Sequence, residues 1–351
     1  MMSLRMWLAL GFLGIVALPL AGASMFYLDA YATAMRASVL QRVSAIADKK
    51  AEQIDAYLYE RIENIRDKAG DPSIVAIAGE LAQAWRQHGF NSPRYQAIEQ
   101  RYHTELLGHV EDRRYDDMLI LDIDGNVLTS QQHKLDFGSN VFTDGMHDGQ
   151  LAAGLEMARD TLRTNLTPFQ PYGASGGEEA AFLVAPILKE GRVIGALALH
   201  FNMRLLQAVV TDRSGLGETG ETVLAMLRGN QVVYTAQLRH VPNAAFRYKR
   251  PFAQGQVAAP MLQALHGQPG KGVTRDYAGY EIAAAWRYLP QLRWGMVVKI
   301  DTAEAFAPIE MLSRLTYLGL ALVLLLAAIT AWWFANALVQ PVQRLLRGTA
   351  R

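Results

Sequence analysis

Gly215-Leu-Gly-Glu-Thr-Gly220 has the G-x-G-x-x-G spacing that brings backbone close to the pyrophosphate of a dinucleotide. That chemistry needs a strand before the glycines, a helix after them, and an acid about 20 residues on for the ribose. Here the order is reversed. A helical pattern, Met203–Asp212, precedes the glycines, a strand-like Thr222–Leu227 follows, and no Asp or Glu occurs from 222 to 275. The glycines are therefore expected to cap a helix and turn the chain into the next sheet, with no nucleotide bound. Asp122-Ile-Asp124-Gly125 opens like a calcium loop, but its twelfth position is His133, where a bidentate Glu is required. It reads as a hairpin turn. Asp144-Gly-Met-His147-Asp148 offers oxygen and imidazole ligands without a second cluster to complete a site, and reads as a polar loop. The eight histidines show no ligand spacing on a helix, and there is no cysteine. Thiolate metal sites, disulfides and cysteine nucleophiles are excluded. No nucleophile–base pair stands out, so no catalytic residue, metal or cofactor is expected in residues 1–351.

The elements that hold these residues are framed by two uncharged apolar runs, Met6–Phe26 and Leu315–Ala335, of 21 residues each. Each is long enough to cross the ~30 Å hydrocarbon layer of a bilayer. The first also resembles a signal peptide with Ala21-Gly22-Ala23 as cleavage site. Its long apolar region and the helical sequence beyond Ala23 favour an uncleaved span, which Pro19 would kink. Arg5 before the first run, and Arg344, Arg347 and Arg351 after the second, place both ends in the cytoplasm. The roughly 280 residues between the runs would then lie outside the membrane, in a bacterial periplasm where ATP and NAD are scarce. With 51% hydrophobic residues and a net charge of +1, the chain carries no global signature of a nucleic-acid partner.

From Tyr27 to Asp71 an apolar stripe runs through Met35, Val39, Val43, Ile46, Ile54, Leu58, Ile62 and Ile65, which is one face of a long helix. It reads as a stalk along a domain and also as a dimer contact. Helical patterns at Pro72–Gln87 and Pro93–His109 follow. Then the period becomes two. Met118–Ile123 with Val127–Ser130, and Ala181–Leu188 with Val193–Phe201, read as hairpins. The order recurs in Thr222–Leu227 with Gln231–Thr235, and Tyr280–Tyr288 with Trp294–Ile300. Two α+β modules in series, each with an antiparallel sheet, are expected. Residues 111–160 hold 11 acids and 4 bases, whereas 222–275 hold 7 bases and no acid. The basic stretch reads as solvated loops, as a surface near anionic lipid, or as a contact for the acidic module.

This arrangement resembles the double Cache (dCACHE) sensory domain of bacterial transmembrane receptors. The resemblance is carried by Tyr115-Asp-Asp-Met-Leu-Ile-Leu-Asp-Ile-Asp-Gly125, by Pro171-Tyr172 ahead of Ala181–Ile187, by Arg213–Glu221, and by Trp294-Gly-Met-Val-Val-Lys-Ile-Asp301 with Glu304-Ala-Phe306. Ala337-Leu-Val-Gln-Pro341-Val-Gln-Arg-Leu345 resembles the opening of a HAMP linker. The resemblance implies a cytoplasmic N-terminus (1–5), a first span (6–26), a stalk (27–71), and a membrane-distal module (72–212). A membrane-proximal module (213–313), a second span (314–336) and the linker (337–351) complete it. Two PAS-like modules on a stalk helix, between two transmembrane helices of the inner membrane, are implied.

The resemblance puts a small ligand in the distal module. Amino-acid-binding members carry an Arg, a Trp-Tyr pair and an Asp ahead of a pocket Tyr, and a last Asp at a strand end. The pocket Tyr resembles Tyr172 and the last Asp falls on His200. The earlier group would fall near Gly154, Glu156, Met157 and Arg159, so most of it is absent. A free amino acid is therefore not the expected ligand. Arg159, Arg163 and His200 would face an organic acid or other anion, with Phe169, Tyr172 and Phe182 as walls. The same residues also read as a solvated helix face, sheet core and a core histidine. The implied function is a membrane receptor, a homodimer, whose output beyond Arg351 is a histidine kinase, a nucleotide cyclase or a chemoreceptor coil. The rival readings are an anchored partner-binding protein without a small ligand and an exterior enzyme.

Overall fold

The computed structural model of the chain describes residues 4–109, 115, 117–144, 149–201, 203–253 and 255–348. The first apolar run and the stripe beyond it form one helix, α1 (Leu4–Ala69), which continues through Pro19. At ~1.5 Å per residue it is ~100 Å long. Its end is set by local chemistry. Gly70 N bonds back to Arg66 O, and Asp71 accepts from Ser73 N at 2.8 Å as N-cap of α2 (Pro72–His88). Pro72 stands where a helix needs no N–H. Helix α3 (Pro93–His109) follows.

Two antiparallel sheets lie along α1. The first has the order β2-β1-β6-β5-β3, with β4 paired to β5. Its strands are β1 (Met118–Asp122), β2 (Val127–Ser130), β3 (Asn165–Leu166), β4 (Gln170–Tyr172), β5 (Glu178–Lys189) and β6 (Arg192–Phe201). After α5 (Arg204–Thr211) comes the second sheet, of order β10-β11-β12-β7-β8-β9. Its strands are β7 (Glu221–Arg228), β8 (Gln231–Tyr234), β9 (Lys249–Pro251), β10 (Gly270–Arg275), β11 (Glu281–Leu289) and β12 (Trp294–Asp301). The series β2-β1-β6-β5 and β8-β7-β12-β11 have the same connectivity, so the chain repeats one topology. All four expected hairpins are present. Missed were α4 (Gln150–Thr161) on the first sheet, α6 (Ala259–Leu265) on the second, and the short strands β3, β4, β9 and β10.

Alternation sorts each strand into two faces. One face of each sheet, with Leu197, Leu199, Phe201, Met296 and Val298, joins the α1 stripe in one core. The other face is covered by α4 in the first sheet and by α6 in the second. The α1 stripe is thus consumed inside the chain. Val39, Val43, Ile54, Leu58 and Ile65 are buried against the sheets, and they are not free to face a second stalk. Lys50, also buried, reaches across to donate to Asp212 O at 2.8 Å and to Val209 O.

A short helix, α7 (Thr302–Ala305), leads into α8 (Ala307–Gly348), which packs alongside α1. Each of α1 and α8 contains an 18-residue stretch of high mean hydropathy, 1.5 and 2.1, of which 0% and 6% is covered by the rest of the chain.

The two sheets meet at Arg228, at the end of β7. Its guanidinium donates to both oxygens of Glu179 at 2.8 and 2.6 Å and to Phe169 O at 2.9 Å. So the basic second unit does contact the first, through one bidentate pair. Behind it Phe169 packs on Phe201, Phe246 and Trp294 at 5.9, 5.8 and 5.3 Å. Arg228→Ala is expected to cost about 1–2 kcal/mol, because the pair is charge-assisted but partly solvated. Thermal unfolding of the full chain should show a lower Tm, which Arg228→Lys only partly restores because the fork is lost.

Candidate functional site

Register brings the first site together. Phe182 on β5 is paired with His200 on β6, so both side chains point to the α4 side of the sheet. Their rings stack at 5.2 Å and 24°. β4 pairs antiparallel along β5 and sets Tyr172 beside them, 4.9 Å from Phe182 and 6.1 Å from His200. The Tyr172 hydroxyl donates to Asp136 Oδ2 at 2.5 Å. Asp136, on the loop after β2, is 1% exposed, and its Oδ1 is buried without a hydrogen-bond partner. Burial, then the Asp136 charge and hydrogen bond, push the Tyr172 hydroxyl above the usual tyrosine range, so it stays a donor.

A second carboxylate, Asp117, is also 1% exposed. Its carbonyl accepts His200 N at 2.9 Å. Its carboxylate accepts from Met118 N at 2.8 Å, Gln132 N at 3.1 Å and Ser130 Oγ at 3.0 Å. Burial raises its pKa while the Ser130 and Gln132 bonds oppose the rise. Asp117 is spent on holding the strand end; Asp136 keeps one oxygen for something else.

Of the six residues singled out in the sequence, the structure brings Tyr172, Phe182 and His200 together. The other three lie elsewhere. Arg159 is on the solvent face of α4 and pairs with Asp160 at 2.9 Å, because the helix turns Leu155 and Ala158 inward instead. Arg163 follows the left-handed Leu162 that ends α4 and lines a groove beside Glu63 and Arg66 of α1. Phe169 faces α1 and the second sheet, on the opposite face from Tyr172. Asp136 escaped the sequence reading because nothing local marks it; only β4 folding back beside the loop makes it a neighbour of Tyr172.

The second sheet has a matching station. Glu221 on β7 is paired with Lys299 on β12, as Asp117 is with His200. Lys299 is 0% exposed. Its Nζ lies 2.9 Å from Glu221 Oε2, 2.5 Å from Asp276 Oδ2 and 5.0 Å above the Tyr277 ring. Glu221 also accepts from Tyr277 Oη at 3.0 Å and from Arg239 N at 2.8 Å. Beside the cluster opens a cleft of about 560 Å³, lined by Tyr234, Tyr248, Arg250, Arg275 and Tyr277. The sequence reading missed this cluster; a lysine within the apolar strand Trp294–Asp301 is the signal that could have marked it.

The glycine-rich stretch does cradle an anion, and the anion is the chain's own. Glu304 of α7 accepts Glu218 N on Oε1 at 2.8 Å, and on Oε2 both Thr219 N at 2.8 Å and Thr219 Oγ1 at 2.5 Å. Gly215 and Gly217 have φ of +79° and +69°. The Asp122 turn is likewise closed on itself, its carboxylate accepting from Asp124 N, Asn126 N and Asn126 Nδ2 at 3.0, 2.8 and 2.8 Å. Of the Asp144–Asp148 stretch, residues 145–148 lie outside the described residues; Asp144 accepts from Asn140 N at 2.7 Å.

Comparison with known proteins gives a family match. The model of the Cache domain, dCache_1, matches residues 31–309. Solved structures similar to the chain include the sensor domain of the Vibrio cholerae histidine kinase DctB (14% identity, 75% of this chain and 97% of that one, TM-score 0.48). They also include the ligand-binding domain of the Pseudomonas fluorescens chemoreceptor CtaA with L-isoleucine (13%, 78% and 97%, TM-score 0.47). A third is the ligand-binding domain of the Pseudomonas aeruginosa PAO1 amino acid chemoreceptor PctB with L-Arg (15%, 79% and 96%, TM-score 0.47). No curated protein matches the chain significantly.

Proposed function

The chain belongs to the Cache domain family, and from that premise we propose that it is the sensory part of a two-span receptor of the bacterial inner membrane, with its sheets in the periplasm. One observation carries this reading. The family match, residues 31–309, starts within α1 and ends within α8, and the most apolar stretches of these two helices are almost wholly uncovered. Bilayer hydrocarbon is the solvent that such surfaces require. Exposed Trp332 and Trp333 suit the headgroup layer at one end of the second span. We assign residues 6–26 and 314–336 to the bilayer, 72–212 to a membrane-distal module, 213–313 to a proximal one, and 337–351 to the start of a HAMP linker. A homodimer would use the outer face of α1, where Tyr59 is exposed, since the inner face is filled.

The ligand station is the Tyr172–Phe182–His200–Asp136 cluster of the distal module. The anion expected from Arg159 and Arg163 loses its support, because neither faces the cluster. The carboxylate that His200 displaces from its strand end is supplied by Asp136 from a different loop. A buried carboxylate oxygen without a partner costs about 1–3 kcal/mol or more. The group that would remove this cost is a protonated amine or another strong donor. Binding would reposition the distal sheet against Arg228 and, through the Glu304 clamp, move α8. It would do so only by its differential affinity for the two states.

The tight packing supports a second reading, a partner-binding module with no small ligand, since Tyr172 and Phe182 are 1% and 0% exposed. A thermal-shift screen of the full chain in nanodiscs, covering amines, amino acids and organic acids, tests both. An amine-bearing ligand is expected to raise the Tm, and Asp136→Asn to weaken it ~10-fold or more. An acid without an amine whose binding depends on Arg159 or Arg163 would restore the anion reading. A screen without any hit would favour the partner reading.

A further inference from the structure

We propose that Glu99, His103 and His133 form a binding site for a divalent transition metal of the zinc class. Glu99 and His103 are four residues apart on α3 and therefore share a helix face. His133 reaches them from the loop after β2. The three donor atoms lie within 4.8 Å of one another. His133 Nε2 is 2.9 Å and His103 Nδ1 3.9 Å from Glu99 Oε1. Around zinc, with bonds of about 2.0–2.1 Å in a tetrahedron, donors lie about 3.3 Å apart. The two distances straddle that value, so small side-chain rotations would seat the ion.

Further observations point to a ligand. His103 Nδ1 is buried and has no hydrogen-bond partner. Glu99 is 3% exposed, and the two imidazole nitrogens lie within 4 Å of its carboxylate. A cation would compensate its charge better than a hydrogen bond from Thr129 Oγ1 at 2.7 Å. The imidazoles are held in place: their rings are 4.2 Å apart, and His133 stacks on Phe137 at 4.1 Å and 9°. Two imidazoles and one carboxylate suit zinc, nickel or cobalt and not magnesium or calcium. Three protein ligands leave a position open to water. Because Asp136 lies three residues beyond His133, the ion would pin the loop that carries it to α3.

The test uses the full chain, without a polyhistidine tag, stripped with chelator and titrated with zinc chloride and with magnesium chloride. One equivalent of zinc is expected to bind and raise the Tm, while magnesium does neither. His103→Gln and His133→Asn should each weaken zinc ~10-fold or more. Asn is chosen because His133 has φ of +43°, which Asn tolerates. Should those variants fold poorly, cobalt(II) bound to the wild-type chain should give the visible spectrum of a low-coordinate histidine site. Zinc affinity unchanged in both variants, or cobalt with only the spectrum of the aqueous ion, would overturn the assignment.

Discussion

Gly217→Val is expected to destabilise the full chain by about 3 kcal/mol or more, a severe loss for one substitution. Two costs add. Gly217 has φ of +69°, a conformation that a β-branched residue adopts only under strain. A Cβ there would also lie 2.1 Å from Glu304 Oε1, displacing the carboxylate from Glu218 N and Thr219 N. The double variant Gly217→Val with Glu304→Ala separates them, because it removes the collision and keeps the φ penalty. It should recover part of the lost stability, and only part, since α7 has then lost its tie to the joint. The clamp also has a pH signature. Burial raises the Glu304 pKa, but bonds from Thr219 and Glu218 outweigh it and leave a net depression. A depressed folded-state value means that the stabilisation is full above the ordinary glutamate value of 4.5 and is lost as pH falls through the folded value below it. Acid melts of wild type and Glu304→Gln should therefore converge below that range. If Gly217→Val melts like wild type, Gly215–Gly220 is a passive loop. Neither protein should bind ATP or NAD saturably.

What was legible in the sequence was whatever repeats at the spacing of one element. The stripe from Met35 to Ile65, the alternation in Met118–Ser130 and its recurrence at Thr222–Thr235 each report a local period, and all became the elements expected. Helix α4 had no such marker: no side chain caps it, and its N-cap, Gly149, has φ of +74°. It is helical because Leu151, Leu155 and Ala158 have a sheet to cover, and because Gly154 lets Val184 and Thr167 approach within 3 Å of where its Cβ would be. The sites were less legible for the same reason. Tyr172, Phe182 and His200 lie on strands and could be carried over by resemblance. Phe169, three residues before Tyr172, was read both as part of the same wall and as sheet core, and the turn into β4 sends it to the core on the other face. Asp136, Asp276 and Tyr277 lie in loops and become neighbours only through strand pairing. Arg159 and Arg163 were read both as ligand contacts and as a solvated helix face, and the phase of α4 places Arg159 on the solvated face.

Lys299→Ala is expected to be the most damaging change in the second sheet, at about 3–5 kcal/mol, because it leaves Glu221 and Asp276 buried without their cation. Loss of the pair is not the same as the worth of the pair. Replacing all three groups, as Lys299→Met, Glu221→Gln and Asp276→Asn together, removes the charges along with the need to compensate them. That variant should lie within about 1–2 kcal/mol of wild type. The informative experiment is rescue. The 560 Å³ cleft borders Asp276 and Tyr277, so a small alkylammonium has a route to the space that Lys299→Ala vacates. Ethylammonium or butylammonium chloride should raise the variant's Tm in a saturable way, as a ligand binding only the folded state must. Sodium chloride and the corresponding alcohols should not. Rescue would identify Lys299 as a built-in ammonium ligand of the second-sheet station. In the first sheet His200 stands at the register position of Lys299 and Asp136 keeps an unmet oxygen, so no built-in ammonium fills the corresponding place. If no amine rescues a variant that still folds, the two stations share a strand register and not a chemistry, and the distal assignment loses its internal precedent.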